Sequence, residues 1–331
     1  MPGTRISFDW SYRGFPACVM ENEFLRLTVV PGVGAKIHEM IFKPADRDLL
    51  YHHPRVELRQ PTFGVNVDNW WTGGIDEALP TGHACVVDGE ELPFLGEVWS
   101  MPWTAERVGA SSVRFTRAGV ITPFRLERVM ELRPGEPFVR QQHTIENTGT
   151  APFRFIWGIH PGLPVGPATT IQIPARRGVV QDSWPGDRLG VTGTSYPWPL
   201  PELVGPAPEP RGTWDLHYAT ELDAGWLAVW DAQWRAGFGM TFPQDVFRCV
   251  WVWLVDGGWR GIRCVAVEPW LGYPARLDEA IAAGRACELA AGQTLTAQTR
   301  LIGFEASGPV GGFDDDGRPV PQPQTTGEAE A

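Results

Sequence analysis

Apolar and polar positions alternate with a period of two along much of this chain. The segments Phe24–Pro31, Phe124–Pro134, Phe138–Gly149 and Thr294–Phe304 are rich in β-branched and aromatic residues and are bounded by turn-forming residues. Because successive side chains of a strand point to opposite faces, this pattern predicts β-strands. The residues PGEP between the second and third segments predict a hairpin connection.

Two segments depart from this alternation. Val246–Val255 is apolar at both odd and even positions, which is typical of a strand buried on both faces. Leu277–Ala286 has a helical pattern, with acidic residues in its first turn and Gly284 placed to end it. The 38 glycines and 31 prolines favour many turns. The sequence therefore predicts an all-β fold, a large β-sandwich with long loops and at most short helices.

The domain organisation follows from the composition along the chain. Residues 1–305 contain no internal repeat and no linker-like change in composition, so we expect one β-sandwich domain there. Residues 306–331 are rich in glycine, proline, glutamine and acidic side chains and poor in large apolar ones. This acidic tail is predicted to be disordered.

The charge balance and the cysteines narrow the class of protein. The formal net charge is −11, and no cluster of basic residues could follow a phosphate backbone, so nucleic acid is not an expected partner. No apolar stretch approaches the ~20 residues needed to span a bilayer, and the start MPGTRISFDW lacks the apolar segment of a secretion signal. Five scattered cysteines without a C-x-x-C pair suit reduced thiols. We therefore expect a cytoplasmic protein without a membrane partner.

Several common catalytic motifs are missing from the sequence. It contains no P-loop, no H-E-x-x-H and no G-x-S-x-G, and Ser195 lacks the strand–turn–helix setting of a nucleophile. The pairs His52-His53 and His83 with Cys85 are isolated, and such pairs are more often packing residues than metal ligands. The sequence thus predicts neither a metal site nor a cofactor.

Ionisable residues lie among aromatic ones in four stretches. These are Asp68–Gly82 with Asp76, Glu77 and Trp71, Leu92–Trp103 with Glu97 and Trp99, Trp157–Val165 with His160, and Arg263–Pro274 with Glu268 and Trp270. Glu268 directly follows an apolar run, and burial would raise its pKa toward the range useful to a general base. A histidine supplies the complementary acid, because its ordinary pKa of ~6.5 lies near neutrality. Indole-rich loops suit sugar rings, whose C–H faces are apolar and whose edges are hydroxyls.

Each of these residues also has a purely structural interpretation. Glu268 could pair with Arg263 or Arg276, and Glu97 could face the solvent. The 16 tryptophans could mostly fill the core, and His160 could cap the turn before the proline that follows it. The chemistry of the residues alone leaves both interpretations open.

Three stretches, in this order, resemble the aldose 1-epimerase (galactose mutarotase-like) superfamily. They are ENEFLRLTVVPGVGAKIHEM, then IENTGTAPFRFIWGIHPGLPV with its His-Pro, and CVAVEPWLGYPARLDEAIAAGRACELAAGQTLTAQTRLIGF with its Glu-Pro, short helix and final strand. Together they span about residues 17–305. The resemblance implies a single β-supersandwich domain with a carbohydrate-binding cleft on one sheet.

The resemblance also implies a mechanism and a set of site residues. In that family a histidine protonates the ring oxygen of a sugar hemiacetal and a glutamate takes the proton of the anomeric hydroxyl. By motif position His160 would be the acid and Glu268 the base, and Asp215 in TWDLHYAT resembles an aspartate that holds a sugar hydroxyl. The candidates for further substrate contacts are Asp76, Glu77, Glu97, Trp71, Trp99 and Trp270.

The chain departs from the family pattern upstream of His160. Other members carry a second histidine and an arginine there that contact the sugar, whereas this chain has no matching arginine. Leu95 stands before Gly96-Glu97, where a His-Gly pair is expected. The chain therefore resembles a divergent branch, and its missing basic residues argue against a phosphorylated substrate.

The expected function is that of an isomerase. An aldose 1-epimerase-like enzyme would interconvert the anomers of a free sugar or sugar derivative by acid–base ring opening. Two alternatives stay open: a non-catalytic carbohydrate-binding or sensor protein on the same scaffold, and another sugar isomerase or lyase activity. The sequence identifies neither the sugar nor the oligomeric state, monomer or homodimer.

Overall fold

The regular secondary structure is almost entirely β-strand in a computed structural model that describes residues 3–200 and 208–322. The strands within these ranges are β1 (Arg5–Tyr12), β2 (Phe15–Glu21), β3 (Leu25–Val30), β4 (Lys36–Phe42), β5 (Arg47–Asp48), β6 (Ile75–Ala78), β7 (Cys85–Val87), β8 (Glu90–Leu92), β9 (Thr104–Arg107), β10 (Ser112–Ala118), β11 (Phe124–Glu131), β12 (Phe138–Asn147), β13 (Phe153–Phe155), β14 (Gly158–Pro164), β15 (Thr169–Gln172), β16 (Ala175–Trp184), β17 (Ser195–Pro197), β18 (Thr213–Leu222), β19 (Trp226–Asp231), β20 (Ala236–Thr241), β21 (Cys249–Asp256), β22 (Arg263–Trp270), β23 (Cys287–Leu289), β24 (Thr294–Glu305), β25 (Val310–Phe313) and β26 (Pro319–Pro321). The described helical segments are α1 (Leu277–Ala282) and two 3₁₀ turns, Lys43–Ala45 and Val67–Asn69.

Two large antiparallel sheets make up the fold. The first has twelve strands in the order β1-β2-β3-β4-β6-β14-β22-β21-β18-β16-β17, with β5 added on β4. The second has eight strands in the order β15-β19-β20-β24-β12-β11-β10-β9. Three two-stranded sheets, β7-β8, β13-β23 and β25-β26, complete the described part. The predicted all-β sandwich is confirmed.

One apolar core lies between the two sheets. Leu25 and Val267 of the first sheet belong to the same buried cluster as Phe115, Leu126 and Leu301 of the second. Removing such side chains from water contributes about 25 cal/mol per Å² of apolar surface. The alternating sequence pattern follows from this arrangement, because only one face of most strands meets the core.

The predicted strands are confirmed, and two element boundaries differ from the sequence expectation. The apolar strand begins at Cys249 rather than Val246, because the backbone N–H groups of Val246 and Phe247 donate to the Pro243 carbonyl in a turn. Helix α1 ends at Ala282, and Gly284 follows with φ +66°. None of the helices in the described ranges is long and apolar enough to cross a bilayer.

The structure corrects the expectation of disorder for residues 306–322. Strands β25 and β26 pair in this segment, and Val310 is buried in a cluster with Phe304 and Trp230. The Gln172 side chain donates to the Val310 carbonyl at 2.6 Å and accepts from its N–H at 3.0 Å. Few apolar residues are needed in the segment itself, since the sandwich supplies the apolar partners. Residues 323–331 lie outside the described part.

Candidate active site

The central strands of the first sheet bring the two predicted acid–base residues together. Strand β14 pairs His160 with Asp76 of β6, and β21 pairs Trp251 with Glu268 of β22. Residues opposite each other in an antiparallel pair point to the same face. His160 and Glu268 therefore lie on the face of the sheet turned away from the shared core, which receives Val267 instead.

His160 and Glu268 meet in a nearly buried pair. The distance from His160 Nε2 to Glu268 Oε1 is 3.5 Å, and the two side chains are 8% and 3% exposed. Trp270 Nε1–H donates to the other carboxylate oxygen, Glu268 Oε2, at 2.8 Å. Burial raises the pKa of Glu268, and the nearby His160 and the Trp270 hydrogen bond counteract part of that rise. The arrangement fixes the carboxyl group and gives it a proton affinity above that of an exposed glutamate.

A glycine of strand β14 makes room for the residue that holds Glu268. A Cβ at Gly158 would come within 2.2 Å of the Trp270 ring, so the indole can lie against this strand only where no side chain is present. The same ring stacks on Trp251 with 3.8 Å between ring centroids and 10° between planes. Trp270 is fully buried and holds Glu268 from two positions along the same strand, on the same face of the sheet.

A cavity of about 230 Å³ opens over the His160–Glu268 pair. Its lining residues are Val67, Asp68, Trp71, His83, Phe94, Leu95, His160, Asp182, Trp214, Leu216, Trp251, Trp253, Trp259 and Glu268. Trp71 meets His160 edge-on, with 5.7 Å between ring centroids, and its buried indole N–H has no hydrogen-bond partner. Of the nine sequence-predicted site residues, three line this cavity: His160, Glu268 and Trp71.

Asp76 lies opposite His160 but its carboxylate has an internal partner. Lys36 Nζ is 2.5 Å from Asp76 Oδ2 and donates to the Gly73 carbonyl at 2.7 Å. Both charged side chains are almost fully buried, at 3% exposed for Lys36 and 1% for Asp76. Asp76 does not line the cavity, and its contact is with a cation of the neighbouring strand.

Glu77 points to the opposite side of strand β6, into the core between the sheets. Arg128 Nη1 is 3.0 Å from Glu77 Oε1, and Trp157 Nε1–H donates to Oε2 at 3.1 Å. Burial opposes ionisation of Glu77, but His143, Arg128 and the Trp157 hydrogen bond outweigh it and lower its pKa. Because Arg128 lies on β11, this ion pair connects the sheet that carries the cavity to the second sheet.

Glu97 and Trp99 also have partners inside the protein. The Glu97 carboxylate accepts the backbone N–H groups of residues 120–122 at 2.5, 2.8 and 3.0 Å. Trp99 is 3% exposed and donates its indole N–H to the Phe94 carbonyl at 3.1 Å. Neither lines the cavity. Glu97 instead orders the loop before β11.

Asp215 lies on the core face of its strand, away from the cavity. Its neighbours in the sequence, Trp214 and Leu216, line the cavity, so Asp215 between them points the other way. Its register partner on β21 is Leu254, a member of the shared core. The carboxylate that strand β16 contributes to the cavity is Asp182, opposite Leu216.

The buried position of Asp215 leads to a stability prediction. Burial raises its pKa to about 6 from 3.8, although Arg188, which hydrogen-bonds to it, counteracts the rise. The folded state therefore binds this proton more tightly than the unfolded state, and the associated stability is lost as pH rises from about 4 through about 6. The shift corresponds to about 3 kcal/mol of unfolding free energy.

We expect Asp215→Asn to lack this pH-dependent component. Urea unfolding between pH 4 and pH 7 measures it, with Asp223→Asn as control, because Asp223 is 53% exposed in its pair with Arg176. The control should follow the wild-type pH dependence. The same pH dependence in wild type and Asp215→Asn would contradict the assignment.

Solved structures with a similar fold come from several bacteria, whereas no model of a known protein family matches the sequence. A protein from Synechocystis sp. PCC 6803 has a TM-score of 0.66 at 18% identity, over 90% of this chain and 98% of its own. A galactose mutarotase-like protein from Clostridium acetobutylicum has a TM-score of 0.65 at 11% identity, over 92% and 99%. Another galactose mutarotase-like protein, from Lactobacillus casei, has a TM-score of 0.60 at 14% identity, over 87% and 99%. This chain has the galactose mutarotase-like fold.

The resemblance inferred from three sequence stretches is thus confirmed as a likeness of fold. Within this mutarotase-like fold, the departures seen in the sequence fall at the cavity. Leu95, where a His-Gly pair is expected, has a left-handed backbone with φ +57° and lines the cavity with its apolar side chain. The residues that line the cavity include neither lysine nor arginine.

Some residues that line the cavity of this protein were not identified from the sequence. Trp251 and Trp253 are two positions apart on β21 and so point to the same face, which lines the cavity. Val252 between them packs in the core between the sheets. That spacing is a signal that could have identified them. Asp182 had no such signal, because the register of β16 shifts between Val180 and Asp182.

Proposed function

We propose that this protein is an aldose 1-epimerase-like isomerase that interconverts the anomers of a free reducing sugar or sugar derivative. The observation that supports it is the convergence of His160 and Glu268, 3.5 Å apart, at the base of one aromatic cavity. These are the two residues to which the family resemblance assigns the acid and the base.

The pair suits the two proton transfers of anomerisation. The ring oxygen and the anomeric hydroxyl are both bonded to C1, so two groups 3.5 Å apart can each address one of them. Glu268 takes the proton of the anomeric hydroxyl while His160 donates one to the ring oxygen, and the C1–O5 bond breaks. Rotation about C1–C2 and the reverse transfers close the ring as the other anomer. Acid–base catalysis by one positioned group contributes typically 10²–10⁴-fold.

The surroundings of the pair support this division of roles. Burial makes the Glu268 carboxylate a stronger base than an exposed glutamate, and Trp270 fixes its second oxygen. The half-buried Trp253 and Trp259 in the cavity lining offer apolar ring surface to the C–H surface of a sugar ring. The unpartnered indole N–H of Trp71 is a donor for a sugar hydroxyl.

The test is NMR measurement of exchange between anomers across common hexoses and pentoses. Wild-type protein is expected to exceed the buffer rate, and His160→Gln to lower the enzymatic part by roughly 10²–10⁴-fold. Wild-type exchange no faster than the buffer blank would exclude the epimerase. Calorimetric sugar binding without exchange would then support the carbohydrate-binding alternative.

A change of pH profile is expected from Trp270→Phe. The indole hydrogen bond favours ionised Glu268, so its loss raises the pKa of this carboxyl further. Because the base must be ionised, the acid limb of kcat/KM should move to higher pH while the plateau changes less. Trp10→Phe on strand β1 serves as control, since Trp10 is 53% exposed. An unshifted acid limb in Trp270→Phe would argue against the carboxylate as base.

A further inference from the structure

The composition of the cavity wall restricts the substrate. Five tryptophans, Phe94 and three aliphatic residues make up nine of its fourteen lining residues. At the base, Trp71 and Trp251 are 4% and 2% exposed and lie beside the acid–base pair. An apolar wall of this kind stacks on C–H surface but offers no acceptor to a hydroxyl.

Few polar side chains remain for hydroxyls other than the anomeric one. Besides the acid–base pair, the lining contains Asp68, His83 and Asp182. Asp182 is exposed and Asp68 is half-buried, which indicates that both lie near the mouth of the cavity rather than at its base. His83 stacks on Phe94 with 4.6 Å between ring centroids. Apart from the Trp71 N–H, the aromatic base presents only apolar ring surface, so a second sugar hydroxyl pressed against it would lose its water without gaining a partner, which disfavours binding.

The charges around the cavity disfavour an anionic substituent. Asp68, Asp182 and Glu268 are acidic, and burial lowers the pKa of His83 to about 4, which leaves its ring neutral near pH 7. Arg260 is not among the lining residues: its guanidinium donates to Asn69 Oδ1 at 2.9 Å, lies 4.5 Å from the ring centroid of Trp259, and interacts electrostatically with the lining carboxylate of Asp68. A phosphate or carboxylate on the sugar would meet like charge and no free lining cation.

We propose that the substrate is an uncharged reducing sugar in which a ring or C6 hydroxyl is replaced by an apolar group, as in a deoxy sugar. This inference rests on the proposed epimerase function and deepens it. The apolar position of such a sugar lies against the tryptophans, and C1 with the ring oxygen reaches His160 and Glu268. Each missing hydroxyl removes one group that the ring faces of the aromatic base cannot satisfy.

The experiment compares anomer exchange for matched sugars by NMR. The set is D-galactose and D-glucose, their 2-deoxy and 6-deoxy forms, and their 6-phosphates. At least one deoxy form should exceed its parent in kcat/KM by roughly tenfold or more, and both phosphates should fall below the parents. A parent sugar or a phosphate as fastest substrate, or equal rates throughout, would overturn the inference while the epimerase stands. If the protein accelerates anomer exchange for none of the eight sugars, both the proposed epimerase function and this inference are excluded.

A matched pair of variants tests the role of the aromatic wall. Trp259→Ala removes an indole that meets Trp253 edge-on, with 5.3 Å between ring centroids. The preference for the best deoxy form over its parent is expected to shrink severalfold in this variant and in Trp253→Ala. Trp10→Ala, on strand β1 and 53% exposed, should keep the wild-type preference. An unchanged preference in both wall variants would exclude the tryptophans as its origin.

Discussion

Glu268→Gln is expected to lower kcat/KM for anomer exchange by roughly 10²–10⁴-fold without loss of the fold. Glutamine keeps the shape of the side chain and an oxygen that can accept the Trp270 N–H, but it cannot take a proton. Because burial raises the pKa of Glu268, the ionised form is disfavoured in the folded protein. Removing that charge should therefore leave the free energy of unfolding at neutral pH unchanged or higher.

NMR exchange rates and urea unfolding together separate this effect from misfolding. Glu305→Gln is the matched control, because Glu305 lies exposed at the end of β24 and should retain wild-type activity and stability. A Glu268→Gln protein that is folded yet keeps more than roughly a tenth of the wild-type rate would exclude this carboxylate as the base.

Arg128→Met is expected to lower the free energy of unfolding by about 3–5 kcal/mol. Arg128 and Glu77 are each 1% exposed and lie 3.0 Å apart in the core between the sheets. Loss of the guanidinium leaves the Glu77 carboxylate buried with Trp157 and His143 but without its arginine. Since this pair joins β6 to β11, its loss also weakens the contact between the two sheets.

The control for this prediction is an exposed arginine on the neighbouring strand. Arg114 on β10 is 40% exposed and lies 3.2 Å from Glu127, so Arg114→Met should change stability by less than about 1 kcal/mol. Urea unfolding of both variants gives the comparison. The double variant Arg128→Met, Glu77→Met should recover much of the loss, because no unpaired charge remains. Equal effects of Arg128→Met and Arg114→Met would contradict a decisive role of the buried pair.

The strands and the two central residues of the candidate site were predicted from the sequence. Alternation with a period of two is a local property, since neighbouring side chains of any strand point to opposite faces, and it located strands such as Phe138–Asn147 within a few residues. His160 and Glu268 followed from short motifs around them. Their 3.5 Å approach requires that β14 and β22 be neighbours in the sheet and pair in the register that sets Gly158 opposite Trp270.

The assignment of the other carboxylates depended on partners distant in the chain. Alternation shows that Asp76 and Glu77 face opposite sides, but Lys36 and Arg128 decide what each one contacts. Likewise the loop 120–122 binds Glu97.

Local patterns of side chains predicted the all-β sandwich and the strand positions, and the family resemblance pointed to His160 and Glu268 as candidates for the acid and the base. Which polar side chains reach the cavity depends instead on how the strands pair in three dimensions. Asp182 lines it and Asp215 does not, since strand register and one bulge set the direction of each side chain. The order of the segment around Val310 also depends on tertiary contacts. Its polar composition predicted disorder, but Val310 is buried against apolar residues from other parts of the chain. Register and burial are properties of paired strands, and no single stretch of sequence contains them.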